Sequence, residues 1–200
     1  NIHIVDRYLN TVKALGIKND GEGLDYFLPE NIHVEIPENF KNGFIALVLG
    51  ANHATKRIPK DKLKEIISKS TSNFILIGGK EDQGLGEALA NELGERVFNA
   101  AGKTNLNESA YLLKISEKVI TPDTGMMHIA AAFQKEIISV WGNTVPEFGM
   151  YPYYKKGNET KFTIIENKEL KCRPCSKIGY DKCPKGHFKC MLELQELRID

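Results

Sequence analysis

The fold is decided by one stretch of the sequence, Lys118-Val-Ile-Thr-Pro-Asp-Thr-Gly-Met-Met-His-Ile-Ala-Ala-Ala-Phe133. Its first residues are β-rich and stop at Pro122, after which Asp123 or Thr124 can cap a helix that begins near Gly125. A strand that enters a helix through such a tight turn leaves backbone N–H groups unpaired at the positive end of the helix dipole. These groups can bind a phosphate or another anion. The alternative interpretation is an ordinary strand–helix turn, since every α/β domain contains several.

Strand and helix patterns alternate on both sides of this stretch. Apolar runs predict five strands, at 44–49, 74–77, 96–99, 119–121 and 136–141, and helical periodicity predicts helices between them, at 59–68, 84–93, 106–115 and from 125 onward. Pro59 suits the first position of the first of these helices. The alternation predicts an α/β fold with a Rossmann-like, doubly wound parallel sheet and right-handed crossovers.

Two further segments flank this sheet. Residues 1–42 are predicted to hold a connector helix, with one apolar face that ends at Gly16, and a first strand at 32–36, where apolar and polar residues alternate. Residues 43–168 then form the Rossmann-like domain, and 169–200 form a cysteine-containing tail that packs on it. Because the chain lacks an initiator Met, we expect a fragment of a longer protein.

Composition excludes several classes of protein. The 200 residues are 42% hydrophobic and 26% charged, which is typical of a globular protein in water. A formal net charge of +1 argues against a broad nucleic-acid-binding surface, so any anion site must be local. No apolar run approaches the ~20 residues that span a bilayer, and no signal peptide opens the chain.

The candidate ligand-binding loops all follow predicted strands. They lie at 50–57, 78–82, 100–104, 121–128 and 142–146. In doubly wound sheets ligands bind outside the carboxyl ends of the strands, where such loops converge. The chain has no Walker A sequence, and Gly84-Leu-Gly86 lacks the third glycine of the dinucleotide fingerprint. An anion site built by several loops is therefore favoured over a P-loop or a classical NAD site.

The loop after the first core strand carries two cations, Lys56 and Arg57. A cation there can reach phosphates held at the helix N-terminus, as a point charge or as a bidentate fork. Most lysines and arginines are simply exposed, so a solvated basic pair is the alternative.

Four more candidates lie in these loops or in the helix that follows one of them. His128 sits one turn into the helix and leans back toward its N-terminus, where it can donate to a phosphate or a sugar hydroxyl unless it is a structural histidine. Asp123 would repel a phosphate, so capping the helix or pairing with Lys56 is the easier role for it. Glu81 and Asp82 can accept hydrogen bonds from ribose hydroxyls, with solvated surface as the alternative.

The four cysteines all lie in the tail, at Cys172, Cys175, Cys183 and Cys190. With His187 among them they outline a structural zinc knuckle, although the second half of the pattern is not CxxC. Disulfides are disfavoured in the cytosol, and free thiols in a compact loop are the other alternative. The four cysteines are therefore candidate zinc ligands.

Five motifs and the tail are similar to a known family. The motifs are Lys56-Arg-Ile-Pro59, Ile75-Leu-Ile-Gly-Gly79, Asn99-Ala-Ala-Gly-Lys-Thr104, Thr121-Pro-Asp-Thr-Gly-Met-Met-His-Ile-Ala-Ala-Ala132 and Val140-Trp-Gly-Asn-Thr144. Together with the Cys-Arg-Pro-Cys tail they resemble glycosyltransferase family 9, the ADP-heptose:lipopolysaccharide heptosyltransferases. The resemblance covers the C-terminal half of the family. It implies a GT-B fold, two Rossmann-like domains facing each other across a cleft, with this chain as the donor-binding domain.

The resemblance also implies which residues bind the donor, ADP-heptose or a similar nucleotide sugar. They are Lys56, Asp82, Asp123, Thr124, Gly125, Met126 and His128. Lys56 would neutralise the diphosphate, residues 124–126 would donate hydrogen bonds to it, and Asp82 would contact the ribose. Ile58 stands where the family more often has Trp, and Met126-Met127 varies the usual turn.

The implied reaction is inverting transfer of heptose to the inner core of lipopolysaccharide, with no cofactor required. A helix N-terminus and a lysine would stabilise the leaving diphosphate without Mg²⁺, and an acceptor hydroxyl would attack with the help of a carboxylate base. This chain offers no candidate for that catalytic base, so we expect the base in a preceding N-terminal domain. The chain alone is then expected to bind the donor without turnover.

The resemblance further implies a cytoplasmic protein that meets a lipid-anchored glycan acceptor through the missing domain, at the inner face of the cytoplasmic membrane. No nucleic-acid partner is implied. Two alternatives stay open, a family relative with another nucleotide sugar or acceptor, and a non-catalytic nucleotide-binding module.

Overall fold

The computed structural model describes residues 2–158, 161–194 and 199. Within these residues the strands are β1 Ile45–Val48, β2 Phe74–Ile77, β3 Val97–Asn99, β4 Lys118–Pro122, β5 Glu136–Trp141 and β6 Phe162–Glu166. The α-helices in the same residues are α1 Ile4–Thr11, α2 Lys60–Ser68, α3 Gln83–Leu93, α4 Leu106–Ile115, α5 Gly125–Ala132 and α6 Lys189–Leu192.

The strands form one parallel sheet in the order β3-β2-β1-β4-β5-β6. Ile45 of β1 is aligned with Phe74 of β2 on one side and with Lys118 of β4 on the other. The strand order reverses between β1 and β4, so the loops that follow these two strands lead to opposite sides and leave a crevice at the carboxyl edge. The predicted doubly wound sheet is confirmed, and the crevice lies at the edge where the sequence predicts a ligand site.

Two apolar cores cover the two faces of the sheet. Within the fully buried β1, Leu47 packs into one core with helices α2, α3 and α6, while Ala46 and Val48 pack into the other with α4 and α5. Successive side chains of a strand point to opposite faces, so a strand between two helical layers must be apolar at every position. The small residues Ala130 and Ala131 let α5 lie close against the second face.

The sequence-based count of five strands was one short. β6 continues the sheet beyond β5 and pairs with it from Ile137–Phe162 to Trp141–Glu166. Between these two strands, the described residues contain a short 3-10 turn, Pro146–Phe148, and no α-helix. The alternation of strand and helix that revealed the other strands is therefore lost at this connection.

The prediction of a strand at 32–36 was wrong, because this segment pairs with no strand in the part of the chain that the structure describes. Its alternating residues instead alternate in burial, and Val34 and Ile36 pack against the second core. An alternating pattern indicates only that one face of a segment packs against the protein. A strand also needs a neighbouring strand to pair with its backbone. The predicted connector helix is present as α1, and Gly16 ends the following 3-10 turn in the left-handed conformation, at φ 77°.

The helix ends agree with the predicted cap of α4 and differ from the predicted start of α2. Asn105 caps α4 by accepting the N–H of Glu108, and the Glu108 carboxylate accepts the N–H of Asn105 in return. Pro59 is the N-cap of α2 and not its first helical residue. None of the helices in the described residues combines the length and apolar character that crossing a membrane requires.

Candidate functional site

The crevice at the carboxyl edge holds an ion pair between the loops after β1 and β4. Lys56 Nζ lies 2.7 Å from Asp123 Oδ2, and the two side chains are only 15% and 5% exposed. Lys56 ends a 3-10 turn, Ala54–Lys56, which directs its side chain across the switch point of the sheet. The structure thus forms the Lys56–Asp123 pair that the sequence favoured over contact between Asp123 and an anion.

The N-terminus of α5 lies directly beside this pair. Thr124 is its N-cap, and its hydroxyl accepts the N–H of Met126 at 3.3 Å. Gly125 is exposed, a Cβ there would meet nothing within 4 Å, and as the first residue of α5 its N–H has no acceptor within the helix. An open N–H at the positive end of an eight-residue helix, next to a lysine, is an anion-binding arrangement.

Thr144, in the loop after β5, completes the cluster. It is fully buried, and its hydroxyl donates to Asp123 Oδ2 at 2.8 Å. One carboxylate oxygen therefore receives both the Lys56 ammonium and a hydroxyl, which fixes the orientation of Asp123. Sequence reasoning placed loop 142–146 at this edge without assigning a role to Thr144. The signal that could have found it is its position after the strand adjacent to β4.

His128 lies half-buried one turn along α5. Burial lowers its pKa, while the negative charge of Asp123 opposes the shift and the charges of His3 and Lys56 add to it. The imidazole is therefore mainly neutral at pH 7, so one ring nitrogen can donate a hydrogen bond and the other can accept one. His3, whose ring is buried and whose Nε2 lies 2.8 Å from the carbonyl of Tyr151, is a neighbour that sequence reasoning missed.

Asp82 occupies a different part of the edge, between the loops after β1 and β2. It is buried, accepts the N–H of Gly79 at 2.9 Å, and lies 3.7 Å from Arg57. Its carboxylate fills space that Gly50 leaves open, because a Cβ at Gly50 would come within 2.3 Å of Asp82 Oδ2. Burial raises the pKa of Asp82. Among the described residues the ion pair of Asp82 is with Arg57 and that of Asp123 is with Lys56, and the predicted contact of Asp82 with ribose stays a prediction.

The zinc site predicted at Cys172, Cys175, Cys183 and Cys190 is not supported. The four thiols are free, and Cys175 turns its Sγ to the carbonyl of Cys172 at 3.0 Å. Burial and neighbouring thiols raise the pKa of Cys190 to about 11. Across the part of the chain that the structure describes, no group of three or more His, Cys, Asp or Glu side chains could hold a metal ion.

A cavity of about 580 Å³ lies away from the ion pair, between the N-terminal segment and residues 151–156. Its polar side chains bond one another, since Asn19 Nδ2 and the Tyr153 hydroxyl both donate to Asp6 Oδ1 at 2.8 Å. These bonds hold the loop after α1 in place. The packing of the N-terminal segment forms this cavity, and His3, which lines it, also lies close enough to His128 to affect the pKa of that imidazole.

Sequence comparison relates the chain to heptosyltransferases. The family model of glycosyltransferase family 9 (heptosyltransferase) matches residues 3–182. Lipooligosaccharide heptosyltransferase 2 of Haemophilus influenzae is 38% identical over 122 residues, which are 59% of this chain and 34% of that protein. The enzyme of the same name from Campylobacter jejuni is 27% identical over 207 residues, 98% of this chain and 62% of that protein. The chain spans less than two thirds of the length of these curated relatives.

Structural comparison agrees on the fold. The chain is similar to the glycosyl transferase family 9 protein from Veillonella parvula, with a TM-score of 0.67, 19% identity, and coverage of 82% of this chain and 49% of that one. It is also similar to E. coli heptosyltransferase WaaC with ADP, with a TM-score of 0.61, 22% identity, and coverage of 81% and 49%. Because the family model covers most of its residues, the chain belongs to glycosyltransferase family 9.

Proposed function

We propose that this chain is the donor-binding domain of an inverting GT-B glycosyltransferase that moves heptose from ADP-heptose to the inner core of lipopolysaccharide. The observation that carries the proposal is the cluster at the switch point, where Lys56, held by Asp123, faces the open N-terminus of α5. The curated relatives are named heptosyltransferase 2, and similar solved structures contain ADP or ADP-2-deoxy-2-fluoro heptose. These names support ADP-heptose over other nucleotide sugars.

The diphosphate is expected between Lys56 and the first turn of α5. An ammonium carries three N–H donors, and the bond to Asp123 uses one of them. The remaining donors, the Gly125 N–H and the helix dipole can then stabilise two phosphate groups. Their interaction strengthens as the glycosidic C–O bond breaks, because negative charge accumulates on the departing ADP.

The neutral imidazole of His128 is placed to donate to the β-phosphate or to a hydroxyl of the transferred sugar. An acceptor hydroxyl then attacks the anomeric carbon from the opposite side and loses its proton to a carboxylate. We assign that base, and the contacts to a lipid-anchored acceptor, to the part of the enzyme that lies outside this chain. The complete enzyme would then act at the cytoplasmic face of the membrane. This chain by itself would bind the donor without turnover.

Calorimetry of the chain with ADP, ADP-heptose and a UDP-sugar tests the proposal. We expect ADP and ADP-heptose to bind and the UDP-sugar to bind at least about tenfold more weakly, a difference of about 1.4 kcal/mol. Lys56→Ala should abolish most of the ADP affinity. Lys64→Ala removes a half-buried lysine of α2 that pairs with Glu92, and it should leave the ADP affinity unchanged. Equal ADP affinities for the two variants would show that the diphosphate binds elsewhere.

A further inference from the structure

The tail is bonded to the donor-site loop after β5 through three consecutive carbonyl groups. Arg173 donates from Nε to the carbonyl of Gly142 at 2.6 Å and from Nη2 to the carbonyl of Thr144 at 2.9 Å. Between them, the carbonyl of Asn143 accepts the N–H of Cys175 at 3.0 Å. This loop has no regular structure of its own, so the tail supplies its hydrogen-bond partners.

The Arg173 guanidinium is held rigidly while it makes these bonds. Its side chain is 4% exposed and donates to Glu166 Oε2 at 2.8 Å and to the carbonyl of Asn167 at 2.9 Å. A buried ion pair of this kind gives little net stability, because both charges lose their hydration. The planar guanidinium does orient the groups that it contacts, because it fixes several N–H donors at once.

The same tail segment also holds the loop after β1. The N–H of Thr55 donates to the carbonyl of Tyr180 at 3.0 Å, and the Thr55 hydroxyl accepts the N–H of Tyr180 at 2.8 Å. Gly179 packs so closely on His53 that a Cβ there would come within 2.5 Å of the His53 side chain. Thr55 is buried and directly precedes Lys56.

Tail residues 173–180 therefore contact both loops whose side chains meet at Asp123. On one side Arg173 fixes the backbone of Thr144, whose hydroxyl orients Asp123. On the other side Tyr180 fixes the backbone of Thr55, next to Lys56. On each side, a single residue, Thr144 or Thr55, lies between the tail and the Lys56–Asp123 pair.

We propose that tail residues 173–180 position the diphosphate-binding groups, with Arg173 and Thr55 as the positioning residues. The proposal rests on the proposed function, because it needs a diphosphate at Lys56. The tail touches no ligand in this role; it sets the separation of two loops. Loss of either set of bonds should weaken phosphate binding more than it weakens nucleoside binding.

The test compares ADP with AMP, because their affinity ratio isolates the contribution of the second phosphate. Thr55→Val keeps the shape and the backbone bond to Tyr180 but loses the hydroxyl, and Thr55→Ser restores it. Arg173→Lys keeps the buried charge opposite Glu166 but cannot bridge two carbonyls with a fork. Leu112→Ala is the control for simple destabilisation, because Leu112 of α4 is fully buried in the second core, whereas the tail residues Cys190 and Met191 pack into the first.

We expect the ADP:AMP affinity ratio to fall by about tenfold in Thr55→Val and Arg173→Lys, with Thr55→Ser and Leu112→Ala unchanged. If Thr55→Val is folded and keeps the wild-type ratio, the tail is structural only and the proposal is overturned. Should Arg173→Lys not fold, the Thr55 pair of variants decides alone. A wild-type chain that does not prefer ADP to AMP would instead refute the diphosphate placement, and the tail proposal with it.

Discussion

Replacing Thr144 with Val tests whether the loop after β5 is part of the site. Thr144 is fully buried, and its hydroxyl donates at 2.8 Å to the same Asp123 oxygen that lies 2.7 Å from Lys56 Nζ. Val fills nearly the same volume, so the substitution removes the hydrogen bond without opening a large cavity. What remains is a buried carboxylate with one partner in place of two.

The expected magnitude follows from the burial of Asp123. A hydrogen bond to a charged group contributes about 1.5–3 kcal/mol, and with Asp123 only 5% exposed water can replace little of it. We therefore expect Thr144→Val to lower the free energy of unfolding by about 1.5–3 kcal/mol. Because Asp123 orients Lys56, we also expect ADP affinity to fall about tenfold, which corresponds to about 1.4 kcal/mol.

Urea unfolding followed by fluorescence measures the first effect, with the single tryptophan, the buried Trp141 at the end of β5, as reporter. Calorimetric titration with ADP measures the second. Thr144→Ser should retain both properties, and Thr163→Val, at an exposed position of β6, controls for the Thr-to-Val exchange itself. If Thr144→Val and Thr163→Val behave alike in both assays, the bond to Asp123 contributes nothing and the site ends at the loop after β4.

Four further substitutions test neighbouring parts of the site. Burial lowers the pKa of His128, and a bound diphosphate should raise it again. ADP binding near about pH 6.5 should therefore take up protons. Titrations in two buffers measure this proton uptake, which His128→Gln should reduce. Gly50→Ala should lower the melting temperature because its Cβ would displace Asp82, whereas Gly125→Ala, with open space around it, should leave the melting temperature unchanged and weaken ADP binding. The pKa of Asp82 is raised by burial, so its contribution to stability is present at low pH and lost as the pH rises through the folded pKa. The stability of Asp82→Asn relative to wild type should therefore increase between about pH 4 and 7 in urea unfolding, and a constant difference would contradict this.

The parts of the fold that were predictable are those in which local pattern and tertiary environment agree. β1 and β2 are apolar at every position because helices cover both faces, and the capping residues of α4 bond within their own turn. The predictions for β6 and for the segment 32–36 were wrong for opposite reasons. Within the described residues, no α-helix precedes β6 to mark a crossover, and 32–36 has one half-buried face without a neighbouring strand to bond.

The site divides in the same way. Lys56 and Asp123 could be paired from sequence because both follow strands that flank the switch point, so a rule of topology brings them together. The roles of Thr144 and Arg173 could not be predicted in this way. The Thr144 hydroxyl bonds to Asp123, 21 positions away, and the Arg173 guanidinium bonds to Gly142, 31 positions away. Such long-range contacts leave no periodic pattern in the local sequence from which they could be predicted.

A carboxylate beside an anion site needs an explanation in terms of turnover. Without Asp123, the flexible Lys56 side chain would have to be ordered when the diphosphate binds, at a cost of up to about 2 kcal/mol in rotamer entropy. Asp123, itself oriented by Thr144, orders that side chain before the ligand arrives, but its negative charge also repels the phosphates. The pair therefore improves the geometry of binding while it limits the affinity. In the proposed reaction this balance favours the enzyme, because the group that stabilises departing ADP must also release it before the next donor can bind.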